Sequence, residues 1–117
     1  MERQKEVNAM RQRYARLASR LAKTGPIAQG TITERTIERP DPAEPGKMKR
    51  FGPYYQWTFK EKGKTVTVNL SKAQVRPYQR AIDTHRKMEK ALNEMRALSL
   101  RILENTTQGV VKRKLRN

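Results

Sequence analysis

The chain has 117 residues and no cysteine, which leaves room for one compact core and excludes disulfide bonds and thiolate chemistry. Its 27 Lys and Arg against 11 Asp and Glu give a formal net charge of +16, which favours a polyanionic partner. Nucleic acid fits this charge better than a membrane, because no apolar run approaches the roughly 20 residues that span a bilayer and no signal-peptide pattern follows the charged N-terminus. We expect a soluble cytoplasmic protein, associated with the nucleoid or with ribonucleoprotein.

Residues 2–23 predict a helix with a cationic outer face. Val7, Met10, Tyr14, Leu17 and Leu21 recur at three- and four-residue steps, which places them on one stripe, and Gly25 and Pro26 follow as a stop. The basic residues between them are Arg3, Lys5, Arg11, Arg13, Arg16, Arg20 and Lys23, against only Glu2 and Glu6.

The middle of the chain predicts three strands. Residues 29–38 are rich in β-branched side chains and predict the first. Residues 40–53 hold several prolines and two glycines, which predicts a loop carrying Lys47, Lys49 and Arg50. From Tyr54 the pattern alternates with period two, and after the turn Glu61–Lys64 it alternates again to Leu70, so residues 54–70 predict a hairpin.

A long helix is predicted after the hairpin. Because proline interrupts helices, we expect a short turn at 71–76 and a main helix from Pro77 to about residue 104. Its apolar stripe consists of Ile82, His85, Met88, Leu92, Met95, Leu98 and Ile102. This stripe matches that of the first helix, which predicts that the two helices pack side by side.

Together these elements predict an α+β fold. It consists of an N-terminal helix, a three-stranded antiparallel meander and a long C-terminal helix packed on the first helix. We expect residues 1–105 to form one basic domain and residues 106–117 to form a flexible basic tail.

Three segments resemble a small prokaryotic domain family of uncharacterised function that is often found with transposases and other mobile elements. They are RLAKTGPIAQGTI, FGPYYQWTFKEKGKTVTVNLS and AQVRPYQRAID, and the resemblance spans roughly residues 14–100. It implies the same order of helix, strand, loop, hairpin and long helix, and an association with a larger nuclease, recombinase or transposase. Many relatives carry a cysteine cluster in the loop before the Gly-Pro-Tyr motif. This chain has proline and lysine there, so the resemblance implies no metal.

The aromatic residues of the hairpin have two interpretations. They could stack on unpaired bases, or they could fill the core. We expect Tyr55, Trp57 and Phe59 to face the helices, and Tyr54, on the other side of the strand, to contact a ligand. The candidate nucleic-acid-binding residues are Arg3, Lys5, Arg11, Arg13, Arg16, Arg20, Lys23, Lys47, Lys49, Arg50, Tyr54, Lys60, Lys62, Lys64, Lys112, Arg113, Lys114 and Arg116.

No catalytic set can be assembled from the sequence. The single histidine, His85, lies on an apolar stripe, and there is no cysteine or close carboxylate pair, so we predict neither an enzyme nor a metal or other cofactor. The hypothesis is a non-catalytic DNA- or RNA-binding accessory protein of a mobile element or defence system, which contacts phosphates with little sequence specificity. The alternative is a protein-interaction module, a helical-pair adaptor or homodimer that docks on a larger nucleoprotein.

Overall fold

The computed structural model describes residues 2–107 of the chain and confirms the predicted α+β architecture. The elements are α1 (Glu2–Leu21), β1 (Thr31–Pro40), β2 (Met48–Glu61), β3 (Lys64–Leu70) and α2 (Lys72–Thr106). The three strands form one antiparallel sheet in the order β1-β2-β3, as a meander requires. None of the helices in the described part of the chain is long and apolar enough to cross a membrane.

The first hairpin is longer than the sequence predicts. The predicted loop at 40–53 is wrong over half of its length, because β1 continues to Pro40 and β2 begins at Met48. β1 is an edge strand, so Pro40, at its last position, is compatible with the ladder. Only residues 41–47 connect the strands, and the Asp41 amide donates to the Lys47 carbonyl at 2.8 Å.

Pro53 lies inside β2 because the ladder has a bulge there. Arg35 pairs with Tyr54 and Ile37 pairs with Phe51, so Thr36 alone faces two residues, Gly52 and Pro53. A bulge leaves one residue unpaired, which accommodates a residue that has no N–H. Gly52 has a φ of +122°, a conformation that favours glycine.

The second hairpin turn is the tight one that the sequence predicts. Lys62 and Gly63 both have positive φ, 50° and 77°, which is the conformation of a two-residue type I′ turn. The turn fixes the register in which Phe59 pairs with Val66 and Trp57 with Val68.

Helix α2 begins before Pro77, which corrects the predicted turn at 71–76. The Gln74 side-chain oxygen accepts a hydrogen bond from the Ser71 amide at 2.9 Å, and the Gln74 amide donates to the Ser71 carbonyl at 3.0 Å. Half of a capping box therefore starts the helix at Lys72. Pro77 removes only one bond from a 35-residue helix, so the helix continues through it.

The described residues form two compact units, and α2 contributes to both. One contains the residues up to Thr24 and those from Lys87 on, and the other is Gly25–Arg86. In the first unit Val7 and Met10 form a buried cluster with Ile102, against which Leu98 packs. Further along α1, Arg13 lies beside Glu94, which precedes Ile102 in α2. The two helices therefore pack side by side, as predicted, and run antiparallel.

The second unit consists of the sheet and the first part of α2. The Trp57 ring lies 5.1 Å from the Tyr78 ring of α2 and stacks on Phe59 at 4.2 Å. The Trp57 indole N–H donates to the Gln29 carbonyl at 2.7 Å, and the Ala28 amide donates to the Ala81 carbonyl at 3.1 Å. One face of the sheet is thus packed against α2, as expected for Trp57.

Candidate nucleic-acid interface

The strand register divides the side chains of the sheet into two faces. Directly paired residues share a face, and successive residues alternate. The packed face is the one on which the Trp57 ring contacts Tyr78 of α2. Its apolar residues are Ile32, Tyr55, Trp57, Phe59, Val66, Val68 and Leu70.

The opposite face, called the open face below, is mostly exposed and polar. Its members are Thr31, Thr33, Arg35, Ile37, Arg39, Lys49, Phe51, Tyr54, Gln56, Thr58, Lys60, Thr65, Thr67 and Asn69. The bulge at Gly52 and Pro53 adds one residue to β2 and thereby reverses its alternation. Phe51 and Tyr54, three residues apart, therefore lie on the same face.

Charge is segregated between the two faces. The open face has four cations, Arg35, Arg39, Lys49 and Lys60, and no strand residue on it is acidic. The three acidic strand residues are Glu34, Glu38 and Glu61, and all of them lie on the packed face. The sheet itself separates the two faces, and within residues 2–107 none of the four cations of the open face forms an ion pair.

The side-chain contacts agree with this assignment. Arg50 lies 3.8 Å from Glu38 in an ion pair on the packed face. One residue earlier in β2, the Lys49 ammonium lies 5.6 Å from the centre of the Phe51 ring on the open face. Adjacent cations on β2 therefore have different surroundings: Arg50 faces a carboxylate and Lys49 faces an aromatic ring.

Tyr54 lines a depression in the sheet that is formed mostly by residues of the open face. The depression has a volume of about 250 Å³, and it is lined by Arg35, Ile37, Tyr54, Gln56 and Asn69 of the open face and by Tyr55 and Leu70 of the packed face. Tyr54 is 46% exposed, whereas the aromatic residues of the packed face are half-buried. The Gln56 amide N–H donates to the Asn69 side-chain oxygen at 3.4 Å. This bond leaves the Gln56 oxygen and the Asn69 amide N–H groups without a partner among the described residues.

The predicted basic residues of α1 and of the segment that follows it are exposed, except Arg13, which is half-buried. Arg13 donates two hydrogen bonds to Glu94, from Nε to Oε1 at 3.1 Å and from Nη2 to Oε2 at 3.0 Å. Its guanidinium is thus engaged between the helices. The other six are exposed: Arg3, Lys5, Arg11, Arg16, Arg20 and Lys23.

The predicted cations of the sheet region divide into three groups. Lys49 and Lys60 lie on the open face with Tyr54, whereas Arg50 and Lys64 lie on the packed face. Lys62 lies in the second turn, and Lys47 pairs with Glu44 at 3.2 Å in the first loop. The predicted tail residues Lys112, Arg113, Lys114 and Arg116 lie outside the described residues.

Sequence reasoning missed Arg35, Arg39 and Phe51. A signal for the two arginines exists in TITERTIERP, where Glu34 and Glu38 each precede an arginine. In a strand this spacing puts the acidic residues on one side and the basic residues on the other. Phe51 carried no such signal, because its side depends on the bulge.

No group of histidine, cysteine or carboxylate side chains within residues 2–107 is arranged to hold a metal ion. Comparisons of the chain with models of protein families, with curated proteins and with solved structures gave no match. The resemblance to the mobile-element domain family therefore stays a prediction.

Proposed function

We propose that this chain is a non-catalytic nucleic-acid-binding protein that holds a phosphate backbone against the open face of its sheet, with little sequence specificity. The observation that carries the proposal is the charge segregation: four cations without an acidic strand residue on one face, in a chain of net charge +16. Phosphates displace condensed counterions when they meet such cations, and this release drives binding without reading sequence.

The role that fits such a surface is accessory. A backbone-directed binder positions nucleic acid for a larger nuclease, recombinase or transposase, the setting that the family resemblance implies. The side chains of the open face supply positive charge, hydroxyls and amides, which hold phosphates and sugars.

The test is a comparison of two double variants that lose the same charge from opposite faces. Arg39→Gln with Lys49→Gln removes two cations that pair across the open face, and Arg50→Gln with Lys64→Gln removes two from the packed face. Binding is measured by fluorescence anisotropy with labelled single-stranded DNA, duplex DNA and structured RNA at two salt concentrations. We expect the open-face variant to lose at least about tenfold in affinity and to lower the salt slope by about 1.4 to 1.8 if each cation meets one phosphate.

The packed-face variant controls for the loss of net charge and should lose much less. Equal losses in the two variants would place the binding elsewhere on the molecule. No binding to any probe by the unmodified protein at about 50 mM salt would refute the proposal, since phosphate contacts are strongest at low salt.

A second candidate function is the protein-interaction module, favoured by apolar side chains exposed on the helical pair. Leu100 and Leu103 of α2 are 57% and 53% exposed, and Leu103 lines a groove with Tyr14 and Ile102. A second copy of the chain is the occupant to test first. Sedimentation of the protein and of Leu103→Glu at high salt distinguishes the candidates, because apolar self-association persists in salt whereas phosphate binding weakens.

A further inference from the structure

We infer that the depression beside Tyr54 is a nucleobase site, so that the nucleic acid on the open face is single-stranded. The inference rests on the proposed function and adds the form of the ligand. It concerns one exposed aromatic ring and the polar groups around it.

The first argument is the position of Tyr54. Tyr54 is 46% exposed, more than Ile37 and Phe51, the other apolar residues of the open face, and cross-strand pairing puts Arg35 beside it. An exposed tyrosine beside a guanidinium offers two flat surfaces on which a base can stack. Inside a duplex the faces of each base are covered by the neighbouring base pairs. Only an unpaired base can therefore stack on the tyrosine ring and the guanidinium.

The second argument is the chemistry of the depression. Pockets that enclose a drug-sized ligand have volumes of about 300 Å³ or more. The volume of this depression, about 250 Å³, therefore suits a ligand group smaller than a drug-sized molecule, such as one nucleobase. Its polar lining includes the side-chain amides of Gln56 and Asn69, which offer both acceptor oxygens and donor N–H groups beyond the bond between them. A neighbouring donor and acceptor complement the edge of a nucleobase, whereas a phosphate would use donors alone.

The third argument is the placement of charge around the depression. Arg35 lines it, while Arg39 and Lys49 lie further along the same face and Lys60 lies toward the other hairpin turn. The cations thus extend on both sides of Tyr54 along the strands. A single strand that crosses the open face can put one base on Tyr54 and its flanking phosphates on these cations.

The experiment compares Tyr54→Ala and Tyr54→Phe with the full-length protein. The probes are a single-stranded oligothymidylate, a blunt duplex of matched length, and inorganic polyphosphate, which has charge but no bases. Ile27→Ala is the matched control, because Ile27 is a large apolar side chain of similar exposure, 48%, outside the open face. Circular dichroism and the urea midpoint verify that each variant is folded.

We expect Tyr54→Ala to lower affinity for the single strand about 5- to 100-fold, the range found for removing one stacking ring. Affinity for polyphosphate and for the duplex should change less than about twofold, and Tyr54→Phe should retain single-strand binding because the ring stacks without its hydroxyl.

The outcomes separate this inference from the proposed function. If the protein binds nucleic acid but Tyr54→Ala leaves single-strand affinity unchanged, the base site is wrong and the proposed function stands. An equal loss on polyphosphate, or a larger loss on duplex than on single strand, also overturns the base site. If the unmodified protein binds polyphosphate but no nucleic acid, both fail.

Discussion

Gly52 permits the bulge that reverses the side-chain alternation of β2. Because of this reversal, Phe51 and Tyr54 lie on the same face. The φ of Gly52 is +122°, and a Cβ at this position would lie 3.0 Å from the Arg35 backbone oxygen. Backbone at that φ is strained for any other residue, and here the neighbour is rigid main chain.

We therefore predict that Gly52→Ala destabilises the protein by about 1–3 kcal/mol, the usual cost of a non-glycine residue in such a conformation. Gly25→Ala is the control, because a Cβ there meets nothing within 4 Å, and we expect a change within about 0.5 kcal/mol. Urea unfolding followed by the fluorescence of Trp57, the single tryptophan of the chain, measures both. Equal midpoints for the two variants would contradict the assigned role of Gly52.

The ion pair between Arg13 and Glu94 has the two-point geometry that makes a guanidinium–carboxylate contact selective. The side chains are 38% and 43% exposed, so water weakens the attraction. We predict a coupling free energy of about 0.3–1 kcal/mol in a double-mutant cycle with alanine.

The Arg86–Asp83 pair of α2 provides the comparison for that cycle. Its atoms are 3.9 Å apart and more exposed, so its coupling should not exceed about 0.5 kcal/mol, as for surface pairs within a helix. Thermal unfolding followed by circular dichroism gives both values. A larger coupling for Arg86–Asp83 would show that the two-point geometry adds nothing.

Among the elements, α2 departs most from its local sequence preferences. Pro77 lies in the interior of the helix, and yet the helix runs from Lys72 to Thr106. Proline in a helix interior is about 3 kcal/mol less favourable than alanine, partly offset because proline also restricts the unfolded chain. The start at Lys72 is held by Gln74 and Ser71.

We predict that Pro77→Ala stabilises the protein by about 1–2 kcal/mol, since it restores the missing amide donor and the side chain is exposed. Gln74→Ala, which removes the bond to the Ser71 amide, should lower stability by about 0.5–1 kcal/mol. Both changes are read from urea midpoints. A loss of stability in Pro77→Ala would mean that the proline ring contributes packing that outweighs its backbone cost.

The elements that could be predicted are those with local periodicity. The stripes of the two helices and the alternation of residues 54–70 depend on neighbours in sequence, and they gave the order of elements and the helical pair. The prolines and glycines of residues 40–53 predicted a loop because both residue types are depleted in strands. Pairing with β1 and the bulge opposite Thr36 overcome that preference, and both depend on residues far apart in sequence.

The candidate site could be predicted only in part for the same reason. Lys49, Tyr54 and Lys60 were identified as single residues, but their common face with Arg35 and Arg39 follows from strand register. The candidate binding residues chosen from the sequence by their charge also included Arg50, which the register places beside Glu38. Composition reports how much charge there is, whereas pairing decides which charges act together.

At the scale of the whole molecule, excess positive charge has opposite effects on folding and on binding. The net charge of +16 repels itself in the compact state, and few carboxylates are present to offset it. Added salt shortens the screening length from about 30 Å at 0.01 M to about 10 Å at 0.1 M. Screening therefore weakens the repulsion that destabilises the fold, and it weakens the attraction to phosphates as well.

We predict that the melting temperature rises by about 5 °C between about 10 and 150 mM NaCl, which corresponds to roughly 1 kcal/mol for a chain of this size. Single-strand affinity should fall over the upper part of that range. If the four cations of the open face each meet one phosphate, the slope of log affinity against log salt is about −2.8, a loss of about 20-fold between about 50 and 150 mM. Differential scanning fluorimetry and anisotropy in the same buffers measure the two trends. A slope near −1 with the same rise in melting temperature would mean that most open-face cations are not in contact with the strand, since their charge would then act on folding and not on binding.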